Sequence, residues 1–336
     1  MMKRTRTQKR KGGDAMKRLM RDLAVLLAVT LLTLGLDRLG AFTALAAMLE
    51  TTVAAEAKQE EGPSLWPGES APYLPPAPTL SPAPEASEPE EIVPALSQRD
   101  LFSRSSLPVD QLGLLLEGWS CAVPAEGPQV LIFHTHSCEA YTPQGEDDYE
   151  PSGDFRTLDG SRSVIAVGDA LAAALEERGF EVLHDRSLYD YPAYNGAYDR
   201  SGAAVRQLLE ANPSVRVVID LHRDSLGGAR TEYLLPDGTP CAQVMLLLTT
   251  GESGLYHPSW RENLKLGLEL QNRMELDHPG LARPLYLSPA RYNQHLSPGA
   301  LLLEVGTDAN TLAEAKQAVL LFADCLGKVL ETHKEN

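Results

Sequence analysis

Val215-Arg216-Val217-Val218-Ile219-Asp220-Leu221-His222-Arg223-Asp224 is the stretch that decides the fold. Its apolar residues run almost without a break to Leu221, and β-branched residues dominate them. Such a run reads as a strand buried on both faces, which is the signature of a parallel sheet. It also ends in titratable groups, and open parallel sheets place their sites at the C-terminal ends of strands. Two other runs repeat the pattern. Val130-Leu131-Ile132-Phe133 leads into His134-Thr135-His136-Ser137-Cys138-Glu139, and Leu301-Leu302-Leu303 leads into Glu304-Val305-Gly306.

Between these runs the chain alternates. Helical spacing covers 164–178, stopped by Gly179, and recurs over 201–211, 260–275 and 312–330. Further strands are expected at 180–183, at 232–235 and 242–249 around Pro236-Asp237-Gly238, and at 284–287. Strands alternating with helices of this length predict an α/β three-layer sandwich with a mostly parallel central sheet. The loop 142–162 is long enough to be functional. Residues 189–198 are irregular and rich in tyrosine.

The first 128 residues differ in character. Residues 1–21 hold nine Lys or Arg and one Asp, a net of +8, so the remaining 315 carry −24 of the total −16. A basic flank before apolar runs at 23–36 and 39–49 is a membrane-insertion signature with the positive end in the cytoplasm. The first run suits a signal-peptide core, with Ala44-Leu45-Ala46 as a candidate cleavage site. The second run favours an uncleaved anchor. Ten prolines between Pro63 and Pro94 mark an extended linker. The expected plan is a basic cytoplasmic tail (1–22), an anchor or signal (23–49), a Pro/Glu-rich linker (50–95), a lead-in (96–128) and a hydrolase domain (129–336) on the outer side of the membrane. The acidic body excludes nucleic acid as the main partner. Four cysteines with no Cys-x-x-Cys pair give neither a zinc knuckle nor a disulfide framework.

If the three polar strand ends share one edge of the sheet, two histidines and a carboxylate suit a catalytic zinc, whose sites use three protein ligands and leave one position open. Zinc brings a bound water toward a pKa of about 7. The residues assign His136, Glu139 and His222 as ligands and Glu304 as general base and proton donor. His134 shares a face with His136 if the strand continues, so either is a candidate ligand; otherwise His134 lies behind the ligands or contacts substrate. Asp220 or Asp224 is expected to orient His222, because ligating imidazoles pass their other N–H to a carboxylate or carbonyl. Arg223, Arg283, Asn293 and Gln294 are candidate substrate contacts. Cys138 reads as incidental, and His184, His257, His278, His295 and His333 are expected at the surface.

Several motifs occur in order: His134-Thr135-His136-x-x-Glu139-Ala140-Tyr141, Val167-Gly168-Asp169-x-Leu171, Asp220-x-His222-Arg223-Asp224, Trp260-x-x-Asn263, Pro279-Gly280-Leu281-x-Arg283, Tyr292-Asn293-Gln294, and Leu303-Glu304-Val305-Gly306 with Asn310-Thr311. Together they resemble the stage II sporulation protein P family, from about 129 to 330. The resemblance implies a zinc-dependent N-acetylmuramoyl-L-alanine amidase that also has peptidoglycan endopeptidase activity, on the outer face of the membrane. Its implied roles are septal thinning and engulfment, with stage II sporulation proteins D and M as partners. It also implies the fold of the cell-wall zinc amidases. Those take a ligand Glu from the start of the first helix, where this chain has Ser161-Arg162-Ser163, a departure that favours Glu139. Two alternatives carry the same residues: a zinc carboxypeptidase-like metallopeptidase, and a non-catalytic wall-binding module of a membrane complex.

Overall fold

The computed structural model describes residues 94–96, 100–151 and 155–335. The basic tail, the anchor or signal segment, and the linker as far as residue 93 lie outside the described residues. No helix among the described residues is long and apolar enough to cross a membrane.

In chain order the elements are β1 (Leu101–Ser103), α1 (Gln111–Glu117), β2 (Val130–Phe133), α2 (Val164–Glu176), β3 (Val182–His184), α3 (Ala197–Ala211), β4 (Val217–Asp224), β5 (Tyr233–Leu234), β6 (Pro240–Cys241), β7 (Val244–Thr249), α4 (Trp260–Asp277), β8 (Leu285–Ser288), β9 (Ala300–Thr307) and α5 (Leu312–Thr332). Seven strands form one sheet in the order β1-β8-β7-β9-β4-β2-β3, and β5 and β6 form a separate hairpin. Every pairing in the large sheet is parallel except β7 with β9. The mostly parallel sheet read from the apolar runs is therefore present. Two features differ from expectation. The lead-in contributes β1, which pairs with β8 at the sheet edge. The β7 run reverses direction, so the hairpin around Pro236-Asp237-Gly238 joins β5 to the short β6 and not to β7.

Alternation along the strands divides the core in two. Val130, Ile132, Val217, Ile219, Leu221, Leu301, Leu303 and Val305 face a large cluster that also takes in α1, α2, α4 and α5. Leu131, Phe133, Val218 and Ala300 face a small cluster covered by Val205, Leu208 and Leu209 of α3 and by Leu296. The third layer is thus a single helix and a turn. Asp220 and His222 have the parity of Val218, so they lie on this thinly covered face.

Local chemistry fixes the helix starts. Ser163 caps α2 by accepting from the Ile165 N–H (3.2 Å). Thr311 and Glu314 form a reciprocal capping box at α5.

Candidate active site

The parallel strands β2, β4 and β9 bring their C-terminal ends to one edge, as the sequence requires. The register sets the details. His222 of β4 is directly opposite Glu304 of β9, and Met245 of β7 flanks Glu304 on its other side. Phe133 of β2 is opposite Asp220. The Asp220 carboxylate accepts the Thr135 N–H (2.8 Å) and the Thr135 hydroxyl (2.7 Å). This grip turns the chain as it leaves β2, and the turn through 135–138 delivers His136 and Glu139 beside His222.

Glu139 Oε2 lies 3.2 Å from His222 Nδ1 and also accepts the Arg223 N–H at 3.4 Å. His222 Nε2 is 2.8 Å from Asp220 Oδ1, but off the line a hydrogen bond needs, so that sealed nitrogen has no hydrogen-bond partner. Burial would lower the His222 pKa, yet the Asp220 and Glu139 carboxylates outweigh it and raise it well above its ordinary value. Reciprocally, burial would raise both acids, and the neighbouring His222 holds each of them below its ordinary range. In the metal-free protein these three groups form a buried acid–cation–acid row. The His136 ring sits edge to face with His222 at 5.4 Å between centroids. Its pKa is lowered, first by burial.

Glu304 is half-buried as a residue, but its Oε2 is sealed and unpaired. Burial, opposed by His222 and reinforced by Glu139 and Asp224, pushes its pKa up to about 8. The donor set fits zinc: two imidazoles and a carboxylate gather in one place, with an orphaned carboxylate oxygen next to them. Among the described residues, the one His/Cys/Asp/Glu group whose three donor atoms all lie within 4.8 Å of one another is elsewhere, at His278, Asp324 and Cys325. There, Asp324 is already paired with Arg178 and with Lys328 (2.9 Å).

The structure separates the two histidines that the sequence left open. His134 is fully buried, with Nδ1 2.8 Å from the Leu221 carbonyl and Nε2 2.8 Å from His184 Nε2. Both its nitrogens are committed inside the fold, and burial drops its pKa to about 3. His184 in turn meets Asp169, which also holds Arg186. The expected surface position of His184 is thus corrected: its side chain is only 4% exposed, because β3 runs beside β2 and α2 closes over it. His257 is buried too, and His278, His295 and His333 are half-buried.

The Val167-Gly168-Asp169 motif has its explanation here. A Cβ on Gly168 would fall 2.6 Å from His184 Nε2 and 2.7 Å from His134 Nε2. Gly168→Ala is expected to cost about 1–3 kcal/mol, read as a fall in chemical-denaturation midpoint. An unchanged midpoint would mean that the imidazole pair gives way freely.

The remaining candidates are tied into the scaffold. Asp224 accepts from Arg283 Nη1 (2.8 Å) and from Ser225 N (2.7 Å), which leaves Asp220 as the carboxylate at His222. Arg223 donates through Nε to the Ala140 carbonyl (3.0 Å) and ties down the loop after Glu139. Asn293, at φ 57°, donates to the Tyr198 carbonyl (2.8 Å), and Gln294 bridges Thr249 (3.0 Å) and the Leu247 carbonyl (2.8 Å). These bonds hold Arg223, Arg283, Asn293 and Gln294, the candidate substrate contacts, in place within the fold. All four cysteines are free, and burial pushes the Cys138 thiol up to about 12, so it stays protonated and is a poor nucleophile.

No periodicity marks three residues near His136: Asp190 and Tyr194 fall in the irregular segment after β3, and Tyr198 lies in the first turn of α3. Tyr194 stacks on the His136 ring (4.4 Å, 2°), Tyr198 meets it edge to face (5.6 Å, 88°), and Asp190 Oδ2 lies 3.9 Å from its Nδ1. The tyrosine richness of 189–198 was the one available hint.

The family model for stage II sporulation protein P (SpoIIP) matches residues 79–327. Stage II sporulation protein P of Bacillus subtilis (strain 168) is 30% identical over 213 residues, which are 60% of this chain and 50% of that protein. The chain therefore spans about half the length of the curated relative it matches. Solved structures with weaker likeness include the CwlD amidase from Clostridioides difficile in complex with the GerS lipoprotein (13% identity, TM-score 0.36, 60% of this chain and 98% of that one). Another is the N-acetylmuramyl-L-alanine amidase Ami1 from Mycobacterium smegmatis (10%, 0.37, 61% and 96%).

Proposed function

The chain belongs to the stage II sporulation protein P family, and from that premise we propose that it is a zinc-dependent N-acetylmuramoyl-L-alanine amidase acting on peptidoglycan, with a cross-link endopeptidase activity beside it. The observation that carries this reading is the Glu139–His222 contact of 3.2 Å with the unpaired Glu304 oxygen in register next to it. His136, Glu139 and His222 would hold the metal. Zinc, when bound, supplies Lewis acidity toward water and toward the amide carbonyl.

The chain's own groups do the rest. Asp220 places its charge 2.8 Å from His222 Nε2, on the far side of the ring from Glu139. Glu304 takes a proton from the attacking water and returns it to the departing amine. A pKa pushed up to about 8 suits both halves of that task once a nearby positive charge draws it toward neutrality. The basic tail and apolar run of the first 49 residues support an anchored protein with its catalytic body outside the membrane. Stage II sporulation proteins D and M are its proposed partners.

Mass spectrometry of digested peptidoglycan tests the chemistry. The purified chain is expected to release free stem peptides from intact glycan strands, and a chelator should stop the release. Loss of only a terminal amino acid would point to a carboxypeptidase. Wall binding without any digestion by zinc-replete, folded protein would point to a scaffold.

A further inference from the structure

His222 has a carboxylate at each ring nitrogen, Glu139 at Nδ1 and Asp220 at Nε2. His136 has a matching neighbour that the sequence did not reveal. Asp190 is 5% exposed, and its Oδ2 lies 3.9 Å from His136 Nδ1, a sealed nitrogen with no hydrogen-bond partner. Asp190 is itself held from several sides. It accepts from the Ser137 hydroxyl (3.0 Å) and the Cys138 N–H (3.2 Å), and it pairs with Arg156. The ring cannot easily turn away, because Tyr194 covers one face and Tyr198 and His222 stand against it.

We propose that Asp190 is the positioning residue for His136: it accepts the Nδ1 proton, fixes the Nδ1–H tautomer, and so leaves Nε2 as the nitrogen that binds zinc. This rests on the zinc reading above. Closing 3.9 Å to a hydrogen bond takes only a small tilt of the ring. The two imidazoles would then use opposite nitrogens, Nε2 at His136 and Nδ1 at His222, each backed by a buried aspartate. Carboxylates in this position fix ring orientation and raise ligand basicity.

The test uses the full chain labelled with 15N-histidine, and Zn²⁺ as the probe. In metal-free wild type, His136 should show the Nδ1–H tautomer, and Asp190→Asn should shift it toward Nε2–H, since the amide now offers a donor. Competition against a chromogenic chelator should show zinc held about 10–100-fold more weakly by Asp190→Asn. Arg156→Gln removes the ion pair and keeps the carboxylate, so its zinc affinity should fall clearly less than that of Asp190→Asn. Asp190→Glu, which restores a carboxylate, should recover part of the loss. An Nε2–H form of His136 in the wild type overturns the proposal, and it does so even if Asp190→Asn fails to fold. Equal losses in Asp190→Asn and Arg156→Gln also overturn it, because they would reflect general loosening of the loop. Wild type that binds no zinc would sink the zinc reading instead, while the metal-free tautomers still decide what Asp190 does.

Discussion

Glu304→Gln is expected to abolish wall hydrolysis and, at the same time, to make the metal-free protein more stable at alkaline pH. The activity loss follows from removing the group that accepts and returns the proton, a contribution of about 10²–10⁴-fold. The stability gain follows from burial. Glu304 titrates near 8 in the folded protein against an ordinary 4.5. Its proton therefore favours folding fully below about 4.5, and that advantage drains away as pH rises through about 8, where a buried carboxylate must be tolerated. Glutamine never ionises. At pH 9 the variant should exceed wild type by an amount on the order of 2–4 kcal/mol, and at pH 4.5 the two should nearly coincide. Melting curves of chelator-treated protein at both pH values read this directly. A gap that does not depend on pH would show that Glu304 is not sealed as the structure has it, and retained activity would remove it from the chemistry.

His222→Ala should have the largest effect on the fold. It removes the cation from between Glu139 and Asp220, leaving two buried carboxylates with no charge between them. Breaking such a set by deleting one partner costs about 3–5 kcal/mol, and zinc binding should be lost with it. The two proteins should respond to acid in opposite directions. In wild type, Glu139 and Asp220 have depressed pKa values, so their stabilisation is present above their ordinary range and is lost as pH falls. In the variant, protonating either acid relieves repulsion, so acidification should stabilise it. Urea denaturation at pH 5 and pH 3, a window in which His222 is charged in the folded and the unfolded chain alike, measures both slopes. Parallel slopes would mean that the acid–cation–acid row does not exist in solution.

The site was legible in the sequence to the extent that buried strands announce themselves. The runs before His134, Asp220 and Glu304 are apolar because both faces of β2, β4 and β9 are covered, and their polar ends stand out against that background. Direction was not legible. The β7 run reads the same whether it lies parallel or antiparallel to β9, because both neighbours bury it equally. β1 is too short to show a period, and α3 begins at Ala197 because Asp199 and the glycine before it suit a helix start, although its first turn is not apolar. The different surroundings of His134 and His136 follow from a tertiary fact, the grip of Asp220 on Thr135, which turns the chain after β2 ends at Phe133. Asp190 and Tyr194 lie in a loop, where no periodicity can mark a residue as buried or stacked.

The antiparallel seam between β7 and β9 has a consequence for how the molecule can change over time. Four strands, β9, β4, β2 and β3, point toward the acid–imidazole cluster, and β7, β8 and β1 point the other way. The register puts the end of β7 level with the start of β9, four residues and so about 13 Å of strand away from Glu304. The loop that follows carries Leu255 and Tyr256, both well exposed. Insertions or altered surface chemistry on that rim leave the reacting groups where they are.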